Sequence, residues 1–183
     1  MLFSCLALVL ACAIGARCIQ TVWTAADAFS APVYRVQTEE KRAAITFDVE
    51  WNDRQIEELL AVVEQNGAAA TFFVTGRWAE THADSLQKIA AAGCEVGNHS
   101  DTHPHMAKMP AEQMIVQMES CNRKVKSILG RTPALFRSPY GEENAEMMAA
   151  AEEARLLFVQ WDVEALRTKE NTGLGVIQRP MPP

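Results

Sequence analysis

The chain has 183 residues, 49% of them hydrophobic and 22% charged, with a formal net charge of −6. That is the composition of one globular domain with a sizeable core; 9 Gly and 8 Pro are too few for a collagen-like or low-complexity chain. The acidic balance and the lack of a Lys/Arg-rich run argue against the basic footprint of a nucleic-acid binder, so no nucleic-acid partner is expected. Five cysteines without a C-x-x-C pair argue against a disulfide framework, and Cys94 and Cys121 read as buried thiols.

Leu2 to Ala16 is an uncharged, almost wholly apolar run. It suits a signal-peptide core and is shorter than the roughly 20 residues that span a bilayer. Residues 1–19 are therefore expected to be a signal-peptide-like or membrane-anchoring segment, with the rest secreted or anchored outside the cytoplasm. A buried N-terminal helix is the alternative, and Arg17 on the far side of the run opposes export. Residues 20–31 read as a linker, with the folded domain over 32–166 and an irregular tail over 167–183.

From Ala43 the chain alternates short apolar runs with amphipathic ones. Ala44–Phe47 predicts a strand. A helix follows with Asn52 or Asp53 as N-cap, an Ile56, Leu59, Leu60, Val63 stripe and Gly67 at its end. A second strand is expected over Ala69–Val74, a helix over Ala79–Ala92, and a third strand over Cys94–Gly97. Pro110 opens a helix bearing Met114, Met118, Cys121, Val125, Ile128 and Leu129, which Gly130 caps. A fourth strand over Ala134–Phe136, a helix over Glu143–Arg155 and a fifth strand over Leu156–Trp161 complete the pattern. Such alternation predicts an α/β fold with a parallel sheet, open or closed into a barrel.

In parallel α/β folds, chemistry gathers at the C-terminal ends of the strands. Here those ends carry Asp48, then His99 and His103, then Arg137 to Gly141, then Asp162 and Glu164. Two histidines four apart share one face of a helical turn and could grip one metal ion, although surface histidines have the same spacing. His105 reads as an outer or exposed residue. A carboxylate ending an apolar strand is costly unless paired or functional, and Arg137 could orient Asp48 by a bidentate contact. The turn at Tyr140 and Gly141 could present backbone N–H groups to an oxyanion. Trp51, Trp78 and Trp161 could form a sugar-stacking wall, core packing being the other role open to them.

These residues resemble the polysaccharide deacetylases with a NodB-homology domain, carbohydrate esterase family four. Thr46-Phe47-Asp48 is similar to the motif T-F-D-D, His99-Ser100-Asp101-Thr102-His103 to H-[ST]-x-x-H, and Arg137-Ser138-Pro139-Tyr140-Gly141 to R-x-P-Y-G. Ala70 to Gly76 also resembles family sequence, and Thr46 to Trp51 resembles a sporulation-type bacterial branch. The resemblance implies a distorted (β/α) barrel and N-deacetylation of N-acetylglucosamine polymers such as chitin or peptidoglycan. It implies a divalent metal, zinc in the first place with cobalt or manganese as alternatives, on His99 and His103. Asp48 would be the base, Arg137 would orient it, and Tyr140 would supply the oxyanion N–H; Trp51, Pro139 and Trp161 would contact sugar.

The pattern departs from the family in two places. Val49 stands where the family's second, metal-binding Asp is expected, and Glu50 is expected to point differently from it. Glu164 could match the first Asp of D-x-x-D-W, but Arg167 and Thr168 follow where Asp and Trp should be, and L-x-x-H has no counterpart. The barrel is therefore expected to be incomplete at its C-terminal end, as a truncated or shifted reading frame would leave it. A non-catalytic glycan-binding fragment, or a cytosolic metal hydrolase of similar architecture, are the rival readings.

Overall fold

The computed structural model describes residues 31–167 and 174–178. The chain divides into two compact units, Met1–Ala31 and Pro32–Pro183. The signal-peptide-like segment and all of the linker except Ala31 lie outside the described residues. Among the described residues no helix is long and apolar enough to cross a membrane.

Five strands, β1 (Ile45–Val49), β2 (Ala70–Val74), β3 (Glu95–Asn98), β4 (Leu135–Phe136) and β5 (Leu157–Phe158), form one parallel sheet in sequence order. The crossovers are α1 (Ile56–Gln65), α2 (Gly76–Thr81), α3 (Ala83–Ala91), α4 (Ala111–Leu129) and α5 (Ala145–Glu153). Strands added one after another with helical crossovers are the building units of a (β/α) barrel. In β1 and β2 the register sets Phe47 beside Phe72 and Asp48 beside Phe73. Beyond β5, Val33 bridges Val159 in parallel; its N–H donates to the Phe158 carbonyl at 2.8 Å, and its own carbonyl accepts from Gln160 N–H at 2.9 Å. The outer edge of β1 has no strand beside it among the described residues.

The interior consists of two apolar clusters. One gathers Val49, Ile56, Val63, Phe72, Val74, Trp78, Leu86, Ile89, Cys121 and Val125; the other gathers Met106, Met114, Met118, Phe136, Met147, Leu156 and Phe158. The single apolar stripe of α4 serves both, Met114 and Met118 entering the second cluster and Cys121 and Val125 the first. Each such side chain, fully buried, contributes about 1.5–3 kcal/mol. Pro110 opens α4, and Gly130 closes it at φ 72°, in the left-handed region where glycine carries no Cβ penalty. Burial pushes the Cys121 thiol up to about 12, which keeps it protonated and unreactive.

Several expectations are corrected. The helix expected over Ala79–Ala92 is two helices. Thr75 starts α2 early, its hydroxyl accepting from Trp78 N–H at 3.2 Å, and His82 (φ −128°, ψ 46°) breaks the run before α3. α1 starts at Ile56 with Gln55 as N-cap and no side-chain cap bond. Asn52 instead accepts from Arg54 N–H within the preceding turn at 3.1 Å, and Asp53 accepts from the Ser85 hydroxyl at 2.7 Å. β6 (Val163–Arg167), at the end of the expected domain, pairs antiparallel with β7 (Leu174–Gln178), which lies in the tail read as irregular.

Gly76 lies where α2 meets both the loop after β3 and the back of α4. Its N–H donates to the Ser100 carbonyl at 3.0 Å, and a Cβ there would stand 2.2 Å from Asp101 Oδ1 and 2.9 Å from Cys121 Cα. Backbone cannot move aside as a flexible side chain can. Gly76→Ala is expected to lower stability by roughly 1–3 kcal/mol in urea unfolding, and an unchanged midpoint would contradict the close approach.

Candidate active site

The strand direction determines which side chains meet. Residues of β1 alternate faces, so Thr46 and Asp48 fall on one side and Phe47 and Val49 on the other. Val49, 7% exposed, packs into the first apolar cluster, with Phe47 against it. Thr46 and Asp48 meet Arg137, and Glu50 meets His103.

Arg137 follows β4 and is 3% exposed, so its charge must be compensated within the fold. Its Nη1 donates to Thr46 Oγ1 at 2.8 Å and to Asp48 Oδ1 at 2.9 Å, and Nη2 donates to the Gln160 carbonyl at 3.1 Å. Its guanidinium lies 4.1 Å from the Phe73 ring centroid and 5.2 Å from that of Trp161. Asp48 remains partly open to solvent.

His99 follows β3 and is fully buried, its Nδ1 2.8 Å from the carbonyl of Arg137. A carbonyl only accepts, so Nδ1 carries the proton and Nε2 keeps its lone pair. Burial holds this imidazole below the ordinary histidine range, outweighing the attraction of Asp48, so the ring is neutral at pH 7.

The helical turn expected between His99 and His103 is absent. Ser100 (φ 67°) and His103 (φ 59°) are left-handed, so the two rings meet across a loop, with centroids 5.0 Å apart. Polar side chains hold that loop. Asn98 Oδ1 accepts from Ser100 N–H at 2.8 Å and Ser100 Oγ from His103 N–H at 3.0 Å, while Gln117 Oε1 of α4 accepts from the N–H groups of Asp101 and Thr102, each at 3.0 Å. The far side of His103 faces Glu50, with Nδ1 to Oε1 3.3 Å.

Tyr140 sits in the turn Pro139–Gly141 at φ 59°. Its ring stands edge-on to His103 with centroids 4.6 Å apart, and stacks on His105 at 4.1 Å. His105 Nδ1 in turn donates to Glu142 Oε1 at 2.7 Å, and Ala107 N–H donates to Oε2 at 3.0 Å. Burial pushes the Glu142 carboxyl up, but these two donors outweigh it and hold it below the usual range.

Of the expected sugar contacts, Trp51 is 79% exposed and lines a cleft of about 260 Å³ with Phe47, Asp48, Glu50, Ile56 and Leu59. Pro139 is buried in its turn, and Trp161 lies against Arg137. Trp78 is core. Glu50 was weighed in the sequence and set aside as pointing differently from Val49, and the contacts of Thr46 and Gln160 with Arg137 were not foreseen.

The donor types present suit a divalent cation: a neutral imidazole with a free Nε2, a second imidazole whose ring centroid is 5.0 Å away, and carboxylates at Asp48 and Glu50. Among the described residues no three His, Cys, Asp or Glu side chains are drawn together at ligand distance.

The family model described as polysaccharide deacetylase matches residues 35–159. The peptidoglycan-N-acetylglucosamine deacetylase of Bacillus cereus is 30% identical over 144 residues, 79% of this chain and 50% of that protein. A family 4 carbohydrate esterase from Streptomyces lividans, solved with acetate, is 36% identical with a TM-score of 0.63, over 66% of this chain and 62% of that one. BA3943 of Bacillus anthracis, described as a CE4 family pseudoenzyme, is 28% identical with a TM-score of 0.72, over 75% of this chain and 49% of that one. The chain spans about half the length of curated relatives it matches.

The contacts of Arg137 generate a direct test. Lysine keeps the charge but cannot reach Thr46, Asp48 and the Gln160 carbonyl together. Arg137→Lys is expected to lose about 1–3 kcal/mol of unfolding free energy, and a change within about 0.5 kcal/mol would contradict its structural role.

Proposed function

The chain belongs to the polysaccharide deacetylase family, and from that premise we propose that it is a metal-dependent hydrolase removing N-acetyl groups from N-acetylglucosamine polymers. Peptidoglycan or chitin-like glycan is the substrate class this reading takes, in keeping with the named activity of the Bacillus cereus relative. The apolar run at Leu2–Ala16 supports work outside the cytoplasm. The observation that carries the proposal is the joint placement of Asp48 and His99 around Arg137 at the open end of the sheet.

The reaction transfers the acetyl group of an acetamide to water. His99 and His103 would hold the cation, zinc in the first place with cobalt or manganese as alternatives, which when bound polarises the acetamide carbonyl and acidifies water. Arg137 anchors Asp48 through Oδ1, and the carboxylate takes the proton from the attacking water. As the carbonyl carbon becomes tetrahedral, its oxygen takes up negative charge, and the backbone N–H of Tyr140 would donate to it. The C–N bond then breaks, and the proton held by Asp48 passes to the departing amine, leaving acetate and a free amino sugar. Trp51 would stack on the neighbouring sugar, its exposed face being part of the cleft beside Asp48.

A second reading has specific support. Val49 is turned into the core, and BA3943 is described as a pseudoenzyme, so a chain that binds glycan without cleaving the amide is its rival. Acetate release by the 183-residue chain from N-acetylglucosamine oligomers and peptidoglycan, with zinc or cobalt added, decides between them. Release is expected, falling about 10²–10⁴-fold in Asp48→Asn. Glycan binding without release from a folded sample would establish the rival.

A further inference from the structure

We propose that Gln160 is a positioning residue for the deacetylation: its side chain holds the turn that aims the Tyr140 N–H, while its backbone holds the arginine that anchors Asp48. The inference rests on the reading above, in which that N–H receives the oxyanion, and adds a residue outside the motifs already named.

Gln160 lies two residues beyond β5 and is 3% exposed. Its N–H donates to the Val33 carbonyl at 2.9 Å, and its carbonyl accepts from Arg137 Nη2 at 3.1 Å. The backbone at residue 160 is thus held on both sides, and the side chain leaves from a fixed point. Its Nε2 donates to the hydroxyl of fully buried Ser138 at 3.2 Å.

The turn Pro139–Gly141 starts from Ser138, whose hydroxyl donates to the Glu142 carbonyl at the far end of that turn. A serine hydroxyl has one hydrogen, so with that hydrogen on Glu142 it accepts from Gln160. The same bonds fix the amide, since a flipped amide would set oxygen against oxygen. Within the turn Tyr140 stands at φ 59°, a conformation that persists only where its surroundings over-determine it. The turn's own backbone bonds are long: Gly141 N–H to the Ser138 carbonyl is 3.4 Å, and Glu142 N–H to the Pro139 carbonyl is 3.2 Å. Closure through Ser138 and Gln160 supplies the determination that those bonds give weakly.

The other end of the amide separates positioning from packing. Gln160 Oε1 and Arg137 Nε have no hydrogen-bond partner among the described residues. A buried polar atom left in that state is costly, and an apolar side chain of the same length would fill the space without that cost. What the amide contributes is its N–H, and the target of that N–H is the turn.

Gln160→Met keeps the length and removes the donor. Ser138→Ala removes the same bond from its other end, together with the contact to Glu142, and circular dichroism checks the fold of each variant. Two quantities are read on the full chain: the backbone amide resonance of Tyr140, and kcat and KM for acetate release from N-acetylglucosamine oligomers with zinc added. An oxyanion donor acts on the transition state, so its displacement lowers kcat and leaves KM. Both variants are expected to shift the Tyr140 resonance and to lose about 10–100-fold in kcat at unchanged KM, less than the roughly 10²–10³-fold that deletion of such a donor costs. The double variant is expected to lose no more than Ser138→Ala alone. If Gln160 only packs, Gln160→Met lowers the unfolding midpoint while the resonance and kcat stay as in the parent; that result overturns the proposal, as does a fall in kcat without a shift at Tyr140. A folded parent that releases no acetate overturns the deacetylase reading and the inference with it, whereas release by the parent with unchanged kcat in both variants overturns the inference alone. Should Gln160→Met misfold, Ser138→Ala decides by the same two readouts.

Discussion

A guanidinium with 3% exposure cannot stand without partners, and the end of the sheet is arranged around that constraint. Arg137 draws acceptors and ring faces from separate stretches of chain: Thr46 and Asp48 from β1, the Gln160 carbonyl from beyond β5, and the ring faces of Phe73 and Trp161. Its own carbonyl then fixes the tautomer of His99. One residue thus ties β1 and the segment after β5 to the orientation of the two groups that chemistry would need. Breaking a buried charge pair of this kind costs about 3–5 kcal/mol, reduced here because Asp48 is partly open to water.

The second support is α4. Its apolar stripe joins the two clusters, and its polar side holds the histidine loop: Gln117 accepts from Asp101 and Thr102, and Asn122 and the Met118 carbonyl accept from Asn98. Left-handed residues such as Ser100 and His103 are strained unless their surroundings over-determine them. These hydrogen bonds supply that determination, so the separation of the two imidazoles depends on a helix that contributes no group to the chemistry.

Much of this was legible in the sequence because it follows from periodicity. The alternation of apolar strands with amphipathic helices predicted a parallel sheet with helical crossovers, and Pro110 and Gly130 marked α4 to within a residue. Asp48, His99 and Arg137 were legible because a charged or polar residue at the end of an apolar strand is expensive unless something uses it. What escaped depends on tertiary contacts. The break at His82 carries neither Gly nor Pro, and the loop with left-handed Ser100 and His103 is held in part by Gln117, sixteen residues beyond Asp101. Glu50 was weighed in the sequence and set aside, and which face of β1 holds the core was not legible there. Only the burial of Val49 shows that.

The central claim is that the carbonyl of buried Arg137 places the proton of His99 on Nδ1 and leaves Nε2 free, while burial keeps the imidazole neutral. Nitrogen-15 NMR of the histidine side chains in the metal-free protein near pH 7 reads this directly. The account expects His99 to show a protonated Nδ1 and an unprotonated Nε2, with that pattern lost in Arg137→Lys if the guanidinium contacts are what hold the carbonyl in place. A His99 protonated on Nε2, or charged at that pH, would contradict it.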